Sequence, residues 1–153
     1  MNGPHNPPAG SRSIDDILAT ARTRLRRIEP TQAHAAQRSG AVLVDIRPAA
    51  QREATGEIPG ALIIERNILE WRLDPRSDAR LPIADRYDLS VIVFCQEGYT
   101  SSLAAAALRD LGLHQATDII GGFAAWAAAG LPTRQAGSDV ATRWCSEACT
   151  SAP

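Results

Sequence analysis

The sequence contains no lysine, so all 16 of its basic residues are arginines. Schiff-base catalysis, covalent attachment of pyridoxal phosphate and a phosphate-loop lysine are thereby excluded. Aromatic residues make up only 5%, and the three cysteines, Cys95, Cys145 and Cys149, cannot all pair with one another. With no basic-then-apolar stretch at the amino terminus, a secretory signal and a disulfide framework are not expected, and a cytoplasmic location is. No apolar run approaches the ~18 residues that span a bilayer, so no membrane partner is expected. Neither sign of charge is in excess, since the net charge is -1. That balance gives no electrostatic case for nucleic acid, and the local cluster Arg22, Arg24, Arg26 and Arg27 reads as the solvated side of one helix.

What is present is an ordinary globular composition: 153 residues, 44% apolar and 22% charged. That length suits one domain with a real core. Residues 1–12, rich in Pro, Gly and Asn, are expected to be disordered. Ser13 before Ile14-Asp15-Asp16 marks a helix start, with the helix running to about Arg26. Ile28-Glu29-Pro30 reads as a short edge segment, and Thr31 as the cap of a helix over 32–39. Strands follow at 41–46 and 61–64, separated by a polar helix or loop. A short helix over 67–73 has Trp71 as its large apolar residue. A strand at 117–120 and a helix at 123–129 close the pattern, and residues 134–153 read as a flexible tail. Strands alternating with helices imply parallel strands joined by crossovers, hence a three-layer α/β domain over 13–133.

The chemistry concentrates after Val91-Ile92-Val93-Phe94, an apolar run that reads as a strand buried on both faces. This strand delivers Cys95 to a polar loop, and Ser101-Ser102-Leu103 opens a helix with Ala104, Leu108 and Leu111 at helical spacing. Cys95 then lies between a strand's carboxyl end and a helix's amino end, where free backbone N–H groups and the helix dipole stabilise a thiolate. From the pattern alone, a buried core cysteine is the favoured reading.

The loop Cys95-Gln96-Glu97-Gly98-Tyr99-Thr100 resembles the six-residue active-site loop of the rhodanese sulfurtransferase family. Val42-Leu43-Val44-Asp45-Ile46-Arg47 resembles that family's strand ending in Asp-x-Arg. Gly56-Glu57-Ile58-Pro59-Gly60-Ala61 is similar to its Gly-His-Ile-Pro-Gly-Ala turn, with Glu57 in place of the histidine. Asp118-Ile119-Ile120-Gly121-Gly122-Phe123-Ala124-Ala125-Trp126 resembles its closing strand, Gly-Gly turn and tryptophan, with Trp126 read as core. The resemblance spans roughly residues 41–132 and implies a central parallel sheet of five strands flanked by helices.

It also implies an activity. The Cys95 thiolate would take the sulfane sulfur of a small-molecule donor, thiosulfate or an organic persulfide, and pass it from a Cys95 persulfide to cyanide or a thiol. No cofactor and no metal are called for, and a protein sulfur acceptor is compatible with the same chemistry. Gln96, Glu97, Gly98, Tyr99, Thr100 and Ser101 would form the substrate-binding loop, with Arg66 as a contact for the donor anion. Asp45 and Arg47 would support it as an internal pair. Gln96 and Glu97 stand where many such loops carry basic residues, which points to thiosulfate as a poor donor. The alternatives are a persulfide carrier or a docking module on the same scaffold. A phosphatase or arsenate reductase would need an arginine six positions after the cysteine, where this chain has Ser101. Cys145 and Cys149, spaced i, i+4, read as thiols of the tail. His5, His34 and His114 are too scattered in sequence to complete a zinc site with them.

Overall fold

The computed structural model describes residues 3–137, so Cys145 and Cys149 lie outside the described residues. Residues 3–12 form two exposed turns, closed by Asn6 N–H to the Gly3 carbonyl and Ser11 N–H to the Pro8 carbonyl. Helix α1 (Ile14–Thr23) starts on a capping box between Ser13 and Asp16. It stops short of the expected Arg26, and the chain from Arg24 extends toward the sheet. Helix α2 (Pro30–Arg38) has Pro30 in its first turn and Glu29 as its cap, in a reciprocal box with Gln32. The helix therefore begins before Thr31, because proline's fixed φ suits the first helical turn.

Among the described residues four parallel strands follow the order β2-β1-β3-β4, with β1 at Val42–Asp45, β2 at Leu62–Ile63, β3 at Val91–Phe94 and β4 at Thr117–Asp118. The implied fifth strand is not formed among them. Ile28 makes only a single parallel bridge to Ile119, donating to the Asp118 carbonyl and accepting from Ile120. Pro30 commits the chain to α2 two residues later, which leaves no length for a ladder.

Between the strands run α3 (Ala49–Thr55), a 3-10 turn at Arg66–Ile68 leading into α4 (Leu69–Leu73), and α5 (Thr100–Asp110); α6 (Gly122–Ala128) follows β4. The two-residue alternation of the strands divides the core into two layers. Val44, Val91 and Val93 face Leu69, Leu73, Ala104 and Leu108, whereas Leu43, Ile92 and Phe94 face Ala33, Phe123 and Trp126. Each fully buried side chain of this size stabilises the fold by about 1.5–3 kcal/mol. Trp126 is wholly buried and its indole N–H donates to the Pro132 carbonyl at 2.8 Å. Trp71, by contrast, is 60% exposed. The face of α4 that packs carries Leu69 and Leu73, so the largest side chain of that helix is not the one that anchors it.

After α6 the chain returns to the sheet's edge. Arg134 and Glu57 exchange two backbone hydrogen bonds in an antiparallel bridge, so the ordered framework reaches past Thr133.

Candidate active site

β3 ends at Phe94 and α5 begins at Thr100, so residues 95–99 must turn the chain within five positions. Gly98 permits this with φ +85°. The turn wraps backbone N–H groups around Cys95, whose Sγ accepts from Gly98 N–H at 3.2 Å and from Ser101 N–H at 3.4 Å. Cys95 is 5% exposed, with its sulfur at the amino end of an 11-residue helix. An anion at this position is stabilised by both hydrogen bonds and by the helix dipole.

The N–H groups face inward because the loop's carbonyls are held outward. Phe123 N–H binds the Cys95 carbonyl at 2.8 Å, and Ala124 N–H binds that of Gln96 at 3.0 Å. Gly121 and Gly122, at φ +76° and +61°, bring the start of α6 against the loop. A methyl on Gly98 would stand 2.8 Å from Gly121 N, so these glycines are required by close approach.

The Gly98 carbonyl is tied differently, by Arg22 Nη2 at 2.8 Å and Arg27 Nη2 at 3.0 Å. Arg27 also grips both oxygens of Asp118, at 2.9 and 3.2 Å, and Arg22 Nε donates to Ser102 Oγ at 3.1 Å. Ser101 Oγ and Ser102 Oγ each donate to Asp118 Oδ2 at 2.8 Å. Asp118, Ser101 and Ser102 are all fully buried, so the network is a satisfied polar cluster behind the loop. Arg22 and Arg27 are thus turned inward, which corrects the reading of the arginine cluster as a solvated face. Arg24 does lie outside, paired with Asp110 at 2.6 Å. Asp118 stands within a quoted motif, but its role depends on partners 91 and 16 residues away and has no local signal.

Asp45 and Arg47 form the other buried support. Arg47 Nε and Nη2 reach the two Asp45 oxygens at 3.0 and 2.7 Å, and Nη2 also reaches the Gly56 carbonyl at 2.8 Å. Nη1 donates to Thr55 Oγ1 at 3.0 Å and Gln96 Oε1 at 2.9 Å, which accounts for all five guanidinium N–H groups. The Phe123 ring lies 4.2 Å from the guanidinium carbon. Arg47 therefore has no donor left for a substrate, and through Gln96 it orders one side of the loop.

Glu97, Tyr99 and Thr100 are exposed, and Tyr99 stacks with Arg22 at 5.8 Å. Arg66 pairs with Glu70 at 2.6 Å, one helical turn on, and no hydrogen bond or ion pair among the described residues joins it to the loop. Glu57, where the resemblance leads one to expect histidine, is buried against Arg52 Nε at 3.4 Å. Among the described residues no group of three or more His, Cys, Asp or Glu side chains is arranged to hold a metal ion.

Known proteins resemble this chain in sequence and in fold. Residues 29–129 match the Rhodanese-like domain family. The thiosulfate sulfurtransferase GlpE of Stutzerimonas stutzeri is 36% identical over 104 residues, covering 68% of this chain and 86% of that protein. Among solved structures, a Rhodopseudomonas palustris protein of unknown function, described as a possible tyrosine phosphatase, superposes with TM-score 0.75 at 35% identity. That match covers 84% of this chain and 99% of the other. The human single-domain sulfurtransferase TSTD1 superposes with TM-score 0.57 at 27% identity, covering 67% and 95%. A cysteine cradled by backbone N–H groups at the end of a parallel strand, on a chain matched through its whole α/β core, identifies the protein as a member of the rhodanese-like domain family.

Proposed function

We propose that this protein is a rhodanese-type sulfurtransferase in which Cys95 carries the sulfane sulfur. The observation that supports this most directly is the pair of backbone N–H groups on Cys95 Sγ, inside a loop whose carbonyls turn away. In the first half-reaction the Cys95 thiolate attacks the outer sulfur of a donor such as thiosulfate. The donor's S–S bond breaks, sulfite leaves with the bonding electron pair, and a Cys95 persulfide remains. In the second, cyanide or a thiolate attacks the terminal sulfur, and the Cys95 thiolate is released. Dividing one transfer into two displacements is covalent catalysis, and the cradle stabilises negative charge on sulfur at each stage. The nucleophile, the two hydrogen bonds and the loop suffice for these steps.

A phosphatase reading, suggested by the description of the Rhodopseudomonas relative, has less support. Residue 101 is a serine whose hydroxyl is committed to Asp118, so the loop supplies no guanidinium fork at that position for phosphate oxygens.

The test is intact-protein mass after brief exposure to thiosulfate or glutathione persulfide. Wild type should gain the mass of one sulfur atom and lose it to cyanide, and Cys95→Ser should gain nothing. No adduct from either donor, with Cys95 demonstrably a free thiol, would replace this reading with a docking role on the same scaffold. Repeated turnover with thiosulfate and cyanide distinguishes an enzyme from a carrier, which loads once.

A further inference from the structure

We propose that Arg22 is a positioning residue for sulfur transfer, acting on Cys95 through the backbone of Gly98; the proposal rests on the sulfurtransferase reading above. Arg22 belongs to α1, which precedes the stretch matching the family, residues 29–129. Its guanidinium reaches the active-site loop across 76 positions of sequence.

Gly98 is the residue through which such an effect would pass. Its N–H donates to Cys95 Sγ at 3.2 Å, and its carbonyl accepts from Arg22 at 2.8 Å. These links and the width of one residue put the guanidinium within roughly 10 Å of the sulfur. The Gly98 N–H and carbonyl belong to successive peptide groups joined at its Cα, so a carbonyl held by two arginines fixes the Gly98 backbone and with it the N–H that reaches Cys95 Sγ.

Charge separates Arg22 from Arg27. The Arg27 guanidinium is neutralised by both oxygens of Asp118. The Arg22 contacts are Ser102 Oγ, the Gly98 carbonyl and the Tyr99 ring, with no carboxylate among the described residues. On the opposite side, Arg47 is neutralised by Asp45. The remaining charged group of the loop is Glu97, which is exposed and of the wrong sign to assist an anion. Arg22 therefore supplies from behind the loop the positive charge that Gln96 and Glu97 do not supply from within it.

A merely structural alternative is that Arg22 pins α1 to α5. Two readouts on Arg22→Gln, Arg22→Lys and Arg24→Gln separate the cases. One is the rate of alkylation of Cys95 by iodoacetamide at pH 7, resolved by peptide mass, which needs no sulfurtransferase activity. The other is the rate of persulfide formation from thiosulfate, with Tm measured alongside. A unit charge at this distance corresponds to about a twofold effect in water and about fifteenfold at an effective dielectric of 20. Arg22→Gln is expected to slow both rates by about twofold to fifteenfold. Arg22→Lys should fall between it and wild type, because an ammonium keeps the charge without the fork that serves Ser102 and Gly98 together. Arg24→Gln, which breaks the exposed pair made with Asp110 from the residue that ends α1, should match wild type. If Arg22→Gln does not fold, a slowed Arg22→Lys at a near-wild-type Tm carries the same conclusion. A lowered Tm with both rates unchanged, or faster alkylation, overturns the proposal. Slowed alkylation in Arg22→Gln, with no persulfide formed even by wild type, would retain the positioning role and overturn the sulfurtransferase reading.

Discussion

Gly122 lies directly beneath Cys95, so close that a methyl group on it would overlap the Cys95 carbonyl oxygen and stand 2.8 Å from Gly98 N. Its φ of +61° adds a backbone cost for any other residue. Gly122→Ala should destabilise the protein by about 1–3 kcal/mol, through strain and displacement of the loop. Persulfide formation should fall with it, since Phe123 N–H could no longer hold the Cys95 carbonyl outward. Urea unfolding midpoints and single-turnover rates with thiosulfate would check both effects; a variant with wild-type values would show that the turn yields without disturbing the cradle.

The buried Asp45–Arg47 pair gives a second prediction. Arg47→Leu leaves Asp45 charged and unpaired in the interior, which costs about 3–5 kcal/mol. Adding Asp45→Leu removes that uncompensated charge, so the double variant should be more stable than the single one. Activity should not recover in parallel, because Gln96 and the Gly56 carbonyl still lose their donor. Denaturation of the full double-mutant cycle, with turnover assays on each member, is the measurement.

Glu97 is exposed, so its opposition to an incoming dianion is set mainly by water. At ~7 Å in water each unit of charge contributes about 0.6 kcal/mol, so a dianion is opposed by about 1.2 kcal/mol, roughly sevenfold in rate. Glu97→Gln should therefore raise kcat/KM for thiosulfate by up to about sevenfold at low salt, and less at high salt. We expect glutathione persulfide to be the better donor for wild type. Comparable kcat/KM values for the two donors would remove the basis for that preference.

The Glu57–Arg134 bridge separates two truncations that differ by four residues. A chain ending at Gly137 should retain stability and sulfur transfer. One ending at Thr133 loses two backbone hydrogen bonds to Glu57, each worth about 0.5–1.5 kcal/mol net. Thermal melts of the two chains should differ by several degrees, and identical melts would mean that the bridge contributes nothing in solution.

The strand and helix around Cys95 were legible because their signals are local. Four apolar residues, a loop with one glycine and an alanine-rich helix specify a strand–turn–helix unit through neighbouring residues alone. The Gly121-Gly122 pair was equally visible as a turn, although nothing in its spacing says that it packs under Gly98. Edges were less legible. Ile28 has the apolar character of a strand residue, yet Pro30 two positions on begins a helix, and a single bridge results where the resemblance implied a fifth strand. Trp71 is exposed for a related reason: size says nothing about which face of a one-turn helix meets the core.

By itself, then, the sequence determined the parallel α/β framework and the strand–turn–helix unit that carries Cys95, because periodicity and turn chemistry act over a few residues. The tertiary structure decided what holds that loop in shape. Arg22, Arg27, Gly98, Ser102 and Asp118 meet across 71 to 91 positions, apart from the Ser102–Asp118 contact at 16. Their pairing follows from the need to satisfy buried charges and carbonyls wherever packing brings them together, a condition that leaves no period in the chain.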